Sequence, residues 1–445
     1  MFNVLSDHTA APSRSNHKRT GLQLSSRVSA LLLTSLFFVV VFDPSDSLTG
    51  LKKYLFLLLL SWWLLLRTRI NKQPRILPAS LLIFIFFGLV FPTLSIFSYY
   101  LQGGDFEEYE GFSTLVGYLS LMLLVIFSSM REPTVHFFVK VLTVQALVTI
   151  GLFALLSLNS ALIETITTFG YDHGFLWINA KSYGGFHFLQ IFFKTSPFMV
   201  LSLAYFSEKC FSLRSSNPIT FVLLITSCLA LLISGTRANI AFAVIIPGYF
   251  AIQNFRWGSF SLKICTLFAL CFLLALLLVN VDILIAMLDP SEESNSVKLG
   301  YWGDYLKIFS DPVVLIFGQG IGVVHYFESL GMDLRITEVT LLELVRNFGI
   351  FMAIGYLAFW IAPLIMLSKN RFADYNWLRI AYASYLLISM SNYFILSSTG
   401  MVLLSIVYGV CLGRVDNYTV RKKESSVSIQ SIFSRNSGNA PSTVG

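Results

Sequence analysis

Long, nearly uncharged apolar runs fill this chain from residue 28 to residue 413 and constrain its fold more than any other feature. Of its 445 residues, 55% are hydrophobic and only 12% are charged. An α-helix needs about 20 apolar residues to cross a bilayer. The runs therefore predict a polytopic helical membrane protein and exclude a chain of two or three soluble domains.

The runs predict an all-α fold of about twelve transmembrane helices in one domain, residues 27–414. The predicted helices lie near residues 28–42, 51–66, 76–99, 113–130, 135–157, 186–206, 218–234, 238–253, 262–288, 340–367, 376–396 and 398–413. The longest connection, residues 289–339, precedes the tenth helix. Connections of that length are usually functional.

The charged residues predict the orientation. With the N-terminus in the cytoplasm, most Lys and Arg fall in cytoplasmic segments and most Asp and Glu in outer ones, as the positive-inside rule requires. The net charge of +7 is then a topology signal facing anionic lipid and needs no nucleic-acid partner. Two polar tails, residues 1–26 and 415–445, are predicted to be cytoplasmic and disordered. The five cysteines lie in apolar runs or at cytoplasmic ends, so no structural disulfide is predicted.

Three arginines fall on the acidic outer side, where positive charge is scarce: Arg237, Arg335 and Arg346. A guanidinium fork suits a phosphate, whereas an arginine at a helix end also commonly reaches the lipid headgroups. Arg237 lies in ISGTRANIAF, a tight polar turn between two apolar helices. The shortness of that turn keeps Arg237 near the membrane surface.

The segment TEVTLLELVRNFGIF opens the tenth predicted helix. Arg346 follows Glu338 by about two turns, or roughly 12 Å along the axis, and so would enter the bundle from just below the surface. A charge at that depth is a functional hypothesis with a partner. The partner of Arg346 is either a substrate phosphate or, in a structural ion pair, Glu343.

One outer loop and the predicted helix that follows it carry further candidates for substrate binding. Asp172, His173 and Lys181 lie among aromatic residues in the 158–185 loop, and such a mixture suits a sugar. The alternative, for Phe175 and Trp177, is an interfacial aromatic belt. Lys194 is either an inward-facing anion contact or a lysine that reaches back to the surface.

The sequence FGQGIGVVH ends at His325. Its glycines predict a flexible or closely packed turn, in which backbone N–H groups could hold an anion. An isolated histidine in a loop is more often incidental. No paired carboxylates or histidines lie at metal-ligand spacing, so we predict no metal and no cofactor.

These features together resemble the O-antigen polymerase and ligase superfamily (Wzy and WaaL types). The resemblance lies in the twelve-helix pattern, the SGTRANIAF turn, and WGDYLKIFSDPVVLIFGQGIGVV before TEVTLLELVRNFGIFMAIGYL, best over residues 180–367. In the ligase branch, the helix after the large loop opens with a His-Asn pair. Counting back from Gly349 puts Glu338 and Val339 at those positions, which favours a polymerase.

The resemblance implies an inner-membrane glycosyltransferase that joins undecaprenyl-diphosphate-linked repeats at the periplasmic face. Arg237 with Arg346, or with Arg335, would hold the diphosphate, and Glu338 would act as base or orient the acceptor. The partners implied are lipid-linked glycan, membrane lipid and a chain-length regulator protein. A ligase, or a non-enzymatic flippase or transporter, is the alternative. A transporter is expected to have related halves and polar residues at mid-membrane, whereas this chain gathers its polar groups on one face.

Overall fold

A computed structural model of the chain describes residues 15–68, 77–104, 115, 117–130, 134–183, 186–211, 218–254, 293–390 and 392–414. This part of the protein is mostly helical, so the predicted helical class is confirmed, and it also contains two short β-hairpins. The ninth predicted helix, residues 262–288, lies outside the described residues. So do residues 1–14 and the tail 415–445.

The helices follow most of the apolar runs. In chain order they are α1 Ser15–Phe42, α2 Lys52–Thr68, α3 Leu77–Leu101, α4 Gly117–Ser129, α5 Thr134–Leu158, α6 Ala161–Asp172, α7 Met199–Phe211, α8 Pro218–Ile233, α9 Arg237–Asn254, α10 Glu293–Ile308, α11 Pro312–Phe317, α12 Thr340–Leu367, α13 Asn376–Met390 and α14 Ser398–Arg414. Because α1 begins at Ser15, the prediction of disorder up to residue 26 is wrong from that residue onwards.

Three helices in the described part of the chain are long and apolar enough to cross a membrane: α3, α5 and α12. Helix α3 contains a π-helical stretch, Ile85–Val90. Helices α1, α4, α8 and α14 contain shorter apolar stretches. The compact centre is α7, which packs against α5, α8, α9 and α13. Most of its side chains are buried, which matches an apolar helix surrounded by other helices.

The prediction of a sixth helix at residues 186–206 is wrong for its first half. Residues Phe186–Phe193 form strand β2, which pairs antiparallel with β1, Leu176–Tyr183. One face of this hairpin, carrying Ile178 and Ile191, is buried in an apolar cluster with residues of α5 and α6. The hairpin satisfies its backbone groups by pairing the two strands, and a hydropathy window cannot distinguish that from a helix.

The long connection before α12 is folded between residue 293 and residue 339. Helices α10 and α11 are followed by a short antiparallel hairpin, β3 His325–Phe327 with β4 Met332–Leu334. A small core of its own, centred on Tyr301, Tyr305 and Phe327, holds these elements together.

The glycine-rich segment is closely packed. Gly318 and Gly349 both have positive φ, and a Cβ on Gly349 would lie 2.1 Å from Ile316 O. Helix α12 is kinked at Gly349 to admit this contact. The N–H of Gln319 donates to Arg346 O at 2.6 Å, and that of Ile321 donates to Ser95 Oγ at 2.9 Å. Both N–H groups therefore serve the packing of this turn.

Candidate functional site

A cavity of about 1170 Å³ opens where several chain segments end together. It is lined by the loop after α1, the first turns of α2, α9 and α14, residues 117–123 of α4, the β1–β2 hairpin, α10, and residues 336–338 and 392–398. Segments from nearly the whole chain thus contribute to one site.

The cavity is rich in positive charge. Its cationic side chains outnumber its carboxylates, Asp46 and Glu338, and they come from four different elements or turns: Lys52, Lys53, Lys194, Arg237 and Lys298. Burial lowers the pKa of Lys194 from its ordinary value. The ammonium of Lys52 donates to Pro44 O at 2.8 Å and to Ser398 Oγ at 2.7 Å, which joins the start of α2 to the start of α14.

Three helix N-termini add to this charge. The first residues of α2, α9 and α14 line the cavity: Lys52, Arg237 and Ser398. The N–H of Lys52 donates to Asp46 Oδ1 at 2.9 Å and that of Gly400 donates to Ser397 Oγ at 3.2 Å. The aligned peptide dipoles still place partial positive charge at these helix ends, which favours an anion. The cationic side chains and the helix N-termini therefore both favour an anionic ligand.

About one helical turn further along α2 and α14, and on α4, the walls of the cavity become apolar. Phe56 and Leu57 follow the lysines of α2, Leu119 and Leu123 lie on α4, and Val402 follows Ser398 on α14. Four residues of helix correspond to about 6 Å. The cavity therefore has a cationic end and a hydrocarbon-like end, as an amphipathic anion requires.

Arg237 occupies the place that the sequence predicts for it. It begins α9 directly after a turn, and it donates to Asn295 Oδ1 on α10 at 2.7 Å. Gly235, at φ +66°, makes the turn possible, since a Cβ there would lie 2.8 Å from Gln190 Cγ. The turn is held further by Asn239, whose amide donates to Ser234 Oγ at 2.9 Å.

Glu338 also lines the cavity, with its side chain 54% exposed. Its Oε2 lies 3.4 Å from the ammonium of Lys298. At that distance and exposure the ion pair is weak, so the carboxylate remains available to a ligand.

Arg346 does not line the cavity, which corrects its assignment to the phosphate. Both Arg346 and Glu343 are completely buried, with Nη2 2.5 Å from Glu343 Oε1. Arg346 also donates to Val323 O at 3.1 Å and to Arg335 O at 2.6 Å. The structural pair with Glu343 is therefore the arrangement that forms, because burying this charge requires a carboxylate and carbonyls around it.

The ion pair belongs to a larger buried network. Tyr305 donates to Glu343 Oε2 at 2.5 Å and hydrogen-bonds Thr337 Oγ1 at 2.6 Å. Burial and the negative charge of Glu343 raise the pKa of Tyr305 well above its ordinary value. This network attaches α10 and the hairpin segment to α12. It thereby fixes the part of the chain that carries Lys298 and Glu338 to the cavity.

Four of the remaining predicted substrate-binding residues, Arg335, His325, Asp172 and His173, are not among the described side chains that line the cavity. Arg335 is partly buried beside Arg346, to which its carbonyl is bonded. His325 is on β3 with its ring against Phe327, and burial together with the charge of Arg346 lowers its pKa. Asp172 is the last residue of α6 and His173 follows it directly, while Lys181 lies on β1. The described cavity thus brings Lys194 and Glu338 together with Arg237, but not Arg335, His325, Asp172 or His173.

The sequence also offered a signal for three cavity residues that we did not predict: Lys52, Lys53 and Lys298. All three lie in segments assigned to the outer side, where lysine is as exceptional as arginine under the positive-inside rule. The sequence analysis weighed the outer arginines, Lys181 and Lys194, but not these three lysines.

Among the residues that the structure describes, no group of three or more His, Cys, Asp or Glu side chains is placed to hold a metal ion. Metal independence thus stays a prediction. No protein-family model matches the chain, and no curated protein matches it.

Proposed function

We propose that the protein is a glycosyltransferase of the bacterial inner membrane that polymerises undecaprenyl-diphosphate-linked oligosaccharide repeats into O-antigen or a related surface polysaccharide. One observation carries this proposal. One cavity combines five cationic side chains and three helix N-termini with apolar walls about one turn away. A polyprenyl diphosphate has the matching parts, a multiply charged headgroup on a hydrocarbon chain.

The orientation predicted from the charged residues favours a periplasmic site. With twelve helices and a cytoplasmic N-terminus, the segments that line the polar end of the cavity all fall on the outer side. They include residues 44–46, 235–237, 336–338 and 397. Lipid-linked repeats that have crossed the membrane would meet the enzyme there.

The chemistry follows from the charges. An acceptor hydroxyl oxygen attacks the anomeric carbon of the donor glycan, forming a new C–O bond. The bond from that carbon to the phosphate oxygen breaks, and undecaprenyl diphosphate leaves with the electron pair. Arg237 and Lys194 stabilise the developing negative charge. Glu338 takes the hydroxyl proton and, being exposed, releases it to water.

Exchange of Glu338 for glutamine is expected to slow chain extension by about a hundredfold or more, since the amide keeps the shape of the side chain but accepts no proton. The gel ladder of surface polysaccharide would shorten or vanish at normal protein level. Glu328→Gln is the matched control, because Glu328 is exposed, pairs with Lys307 and lies outside the cavity. A full ladder from Glu338→Gln would remove Glu338 from the mechanism.

Deletion of the gene, followed by a gel of the surface lipopolysaccharide, tests the activity itself. A polymerase defect leaves lipid A–core bearing a single repeat and no ladder. Loss of every repeat would point instead to a ligase or flippase. An unchanged pattern would contradict a role in O-antigen assembly.

A further inference from the structure

The β1–β2 hairpin presents a compact patch to the cavity. Trp177 and Phe192 are directly opposite each other across the two strands, and Asn179 and Gln190 form the next pair on the same face. All four side chains line the cavity, while the opposite face of the hairpin is buried in the core. The patch therefore consists of two aromatic rings beside two carboxamides.

The rings form an extended aromatic surface. The centroids of Trp177 and Phe192 are 5.9 Å apart, and that of Phe394, from the segment before α14, lies 6.2 Å from Phe192. Aromatic faces pack against the C–H faces of a pyranose, and carboxamides donate to and accept from its hydroxyls. A hydrocarbon chain would cover the exposed amide of Asn179 without replacing its hydrogen bonds to water. The apolar side chains on α4 and α14, Leu119, Leu123 and Val402, suit that chain better.

The patch adjoins the cationic end of the cavity. Gln190 Nε2 donates to Ser234 O at 2.8 Å, in the turn directly before Arg237, and its Cγ occupies the space beside Gly235. Lys194 follows Phe192 by two residues. Whatever binds the patch is thus next to the groups assigned to the diphosphate.

We infer that Trp177, Asn179, Gln190 and Phe192 form the subsite for the sugar ring that is bonded directly to the diphosphate of the donor. This inference rests on the proposed function and adds to it a neutral sugar subsite on the hairpin. In a diphosphate-linked glycan the first ring follows the phosphate without a spacer. A sugar subsite therefore has to lie beside the phosphate subsite, as this patch does.

The test compares two lipids on purified, full-length protein in lipid nanodiscs. The first is bare undecaprenyl diphosphate, and the second is the lipid-linked repeat extracted from the deletion strain. The wild-type protein is expected to bind the glycan-bearing lipid more tightly. Trp177→Leu keeps the apolar bulk but removes the ring face. It is expected to weaken binding of the glycan-bearing lipid roughly tenfold, the effect of about one aromatic contact, and to leave binding of the bare lipid unchanged.

Asn179→Ala is expected to act in the same selective way, and it provides a second variant if Trp177→Leu folds poorly. Trp302→Leu is the matched control, since Trp302 is 53% exposed on α10 and outside the cavity lining. It is expected to change neither affinity.

If Trp177→Leu and Asn179→Ala lowered the affinity for both lipids equally, the sugar subsite would be overturned. The patch would then bind the lipid part of the donor or stabilise the fold. Equal affinity of the wild-type protein for both lipids would also overturn the sugar subsite. Neither result would affect the proposed function, which the deletion gel decides separately. An unchanged deletion gel would remove both proposals together.

Discussion

Arg237→Ala is expected to abolish the polymer ladder while the amount of membrane-inserted protein stays normal. Among the described residues that line the cavity, Arg237 is the arginine. Its guanidinium is held at the start of α9 by a hydrogen bond to Asn295. A preorganised donor that stabilises charge only as it develops contributes about a hundred- to a thousandfold to a rate. Complementation of the deletion strain, with the surface polysaccharide displayed on a gel, measures this effect.

Two further variants make that result specific. Arg237→Lys keeps the charge but loses the planar fork, so partial activity with shorter chains is expected. Arg379→Ala removes an arginine that bonds to Asn376 on α13, away from the cavity, and it should leave the ladder intact. A wild-type ladder from Arg237→Ala at normal protein level would contradict the assignment of Arg237 to the diphosphate.

Arg346→Leu is expected to cost about 3–5 kcal/mol of stability, because it leaves the Glu343 carboxylate buried without its counter-charge. The side chains of both residues are 0% exposed. Two carbonyls, of Val323 and Arg335, lose their donor as well. The fraction of protein that stays soluble in detergent after heating should fall sharply, and polymer should be lost with it.

The double variant Glu343→Leu with Arg346→Leu separates charge burial from other causes. Removing both charges should recover part of the lost stability, although the carbonyls stay without their partner. Lys307→Ala, at the exposed pair with Glu328, should change the stability little. Wild-type heat resistance in Arg346→Leu would contradict a structural role for the ion pair.

Local patterns were enough to predict most of the helical segments and the turn at Arg237. Apolar runs long enough to cross a bilayer have few alternatives to a helix, and Ser234 to Asn239 formed the predicted polar turn. The hairpin at residues 176–193 was missed because an apolar run that pairs with a neighbouring strand has the same mean hydropathy as a helix.

The candidate site was harder to predict, because it depends on contacts between distant segments. Glu338 and Arg237 were found from charge on the outer side of an apolar chain, and Lys194 from charge within a predicted helix; all three line the cavity. Arg346 carries the same unusual charge, yet it is buried against Glu343. Residue type and depth cannot distinguish a ligand-facing arginine from one that neutralises a buried carboxylate.

By itself the sequence determined a helical chain suited to a membrane and limited the candidates to its few outer charges, because hydropathy and charge act locally and can be counted along the chain. Only the tertiary structure decided which charges meet. It brought Lys52, Lys298 and the face of the hairpin with Trp177 to the turn at Arg237, and it placed Arg346 in the core. The physical reason is that a cavity is formed by side chains far apart in sequence, and their packing sets which of them remain open to a ligand.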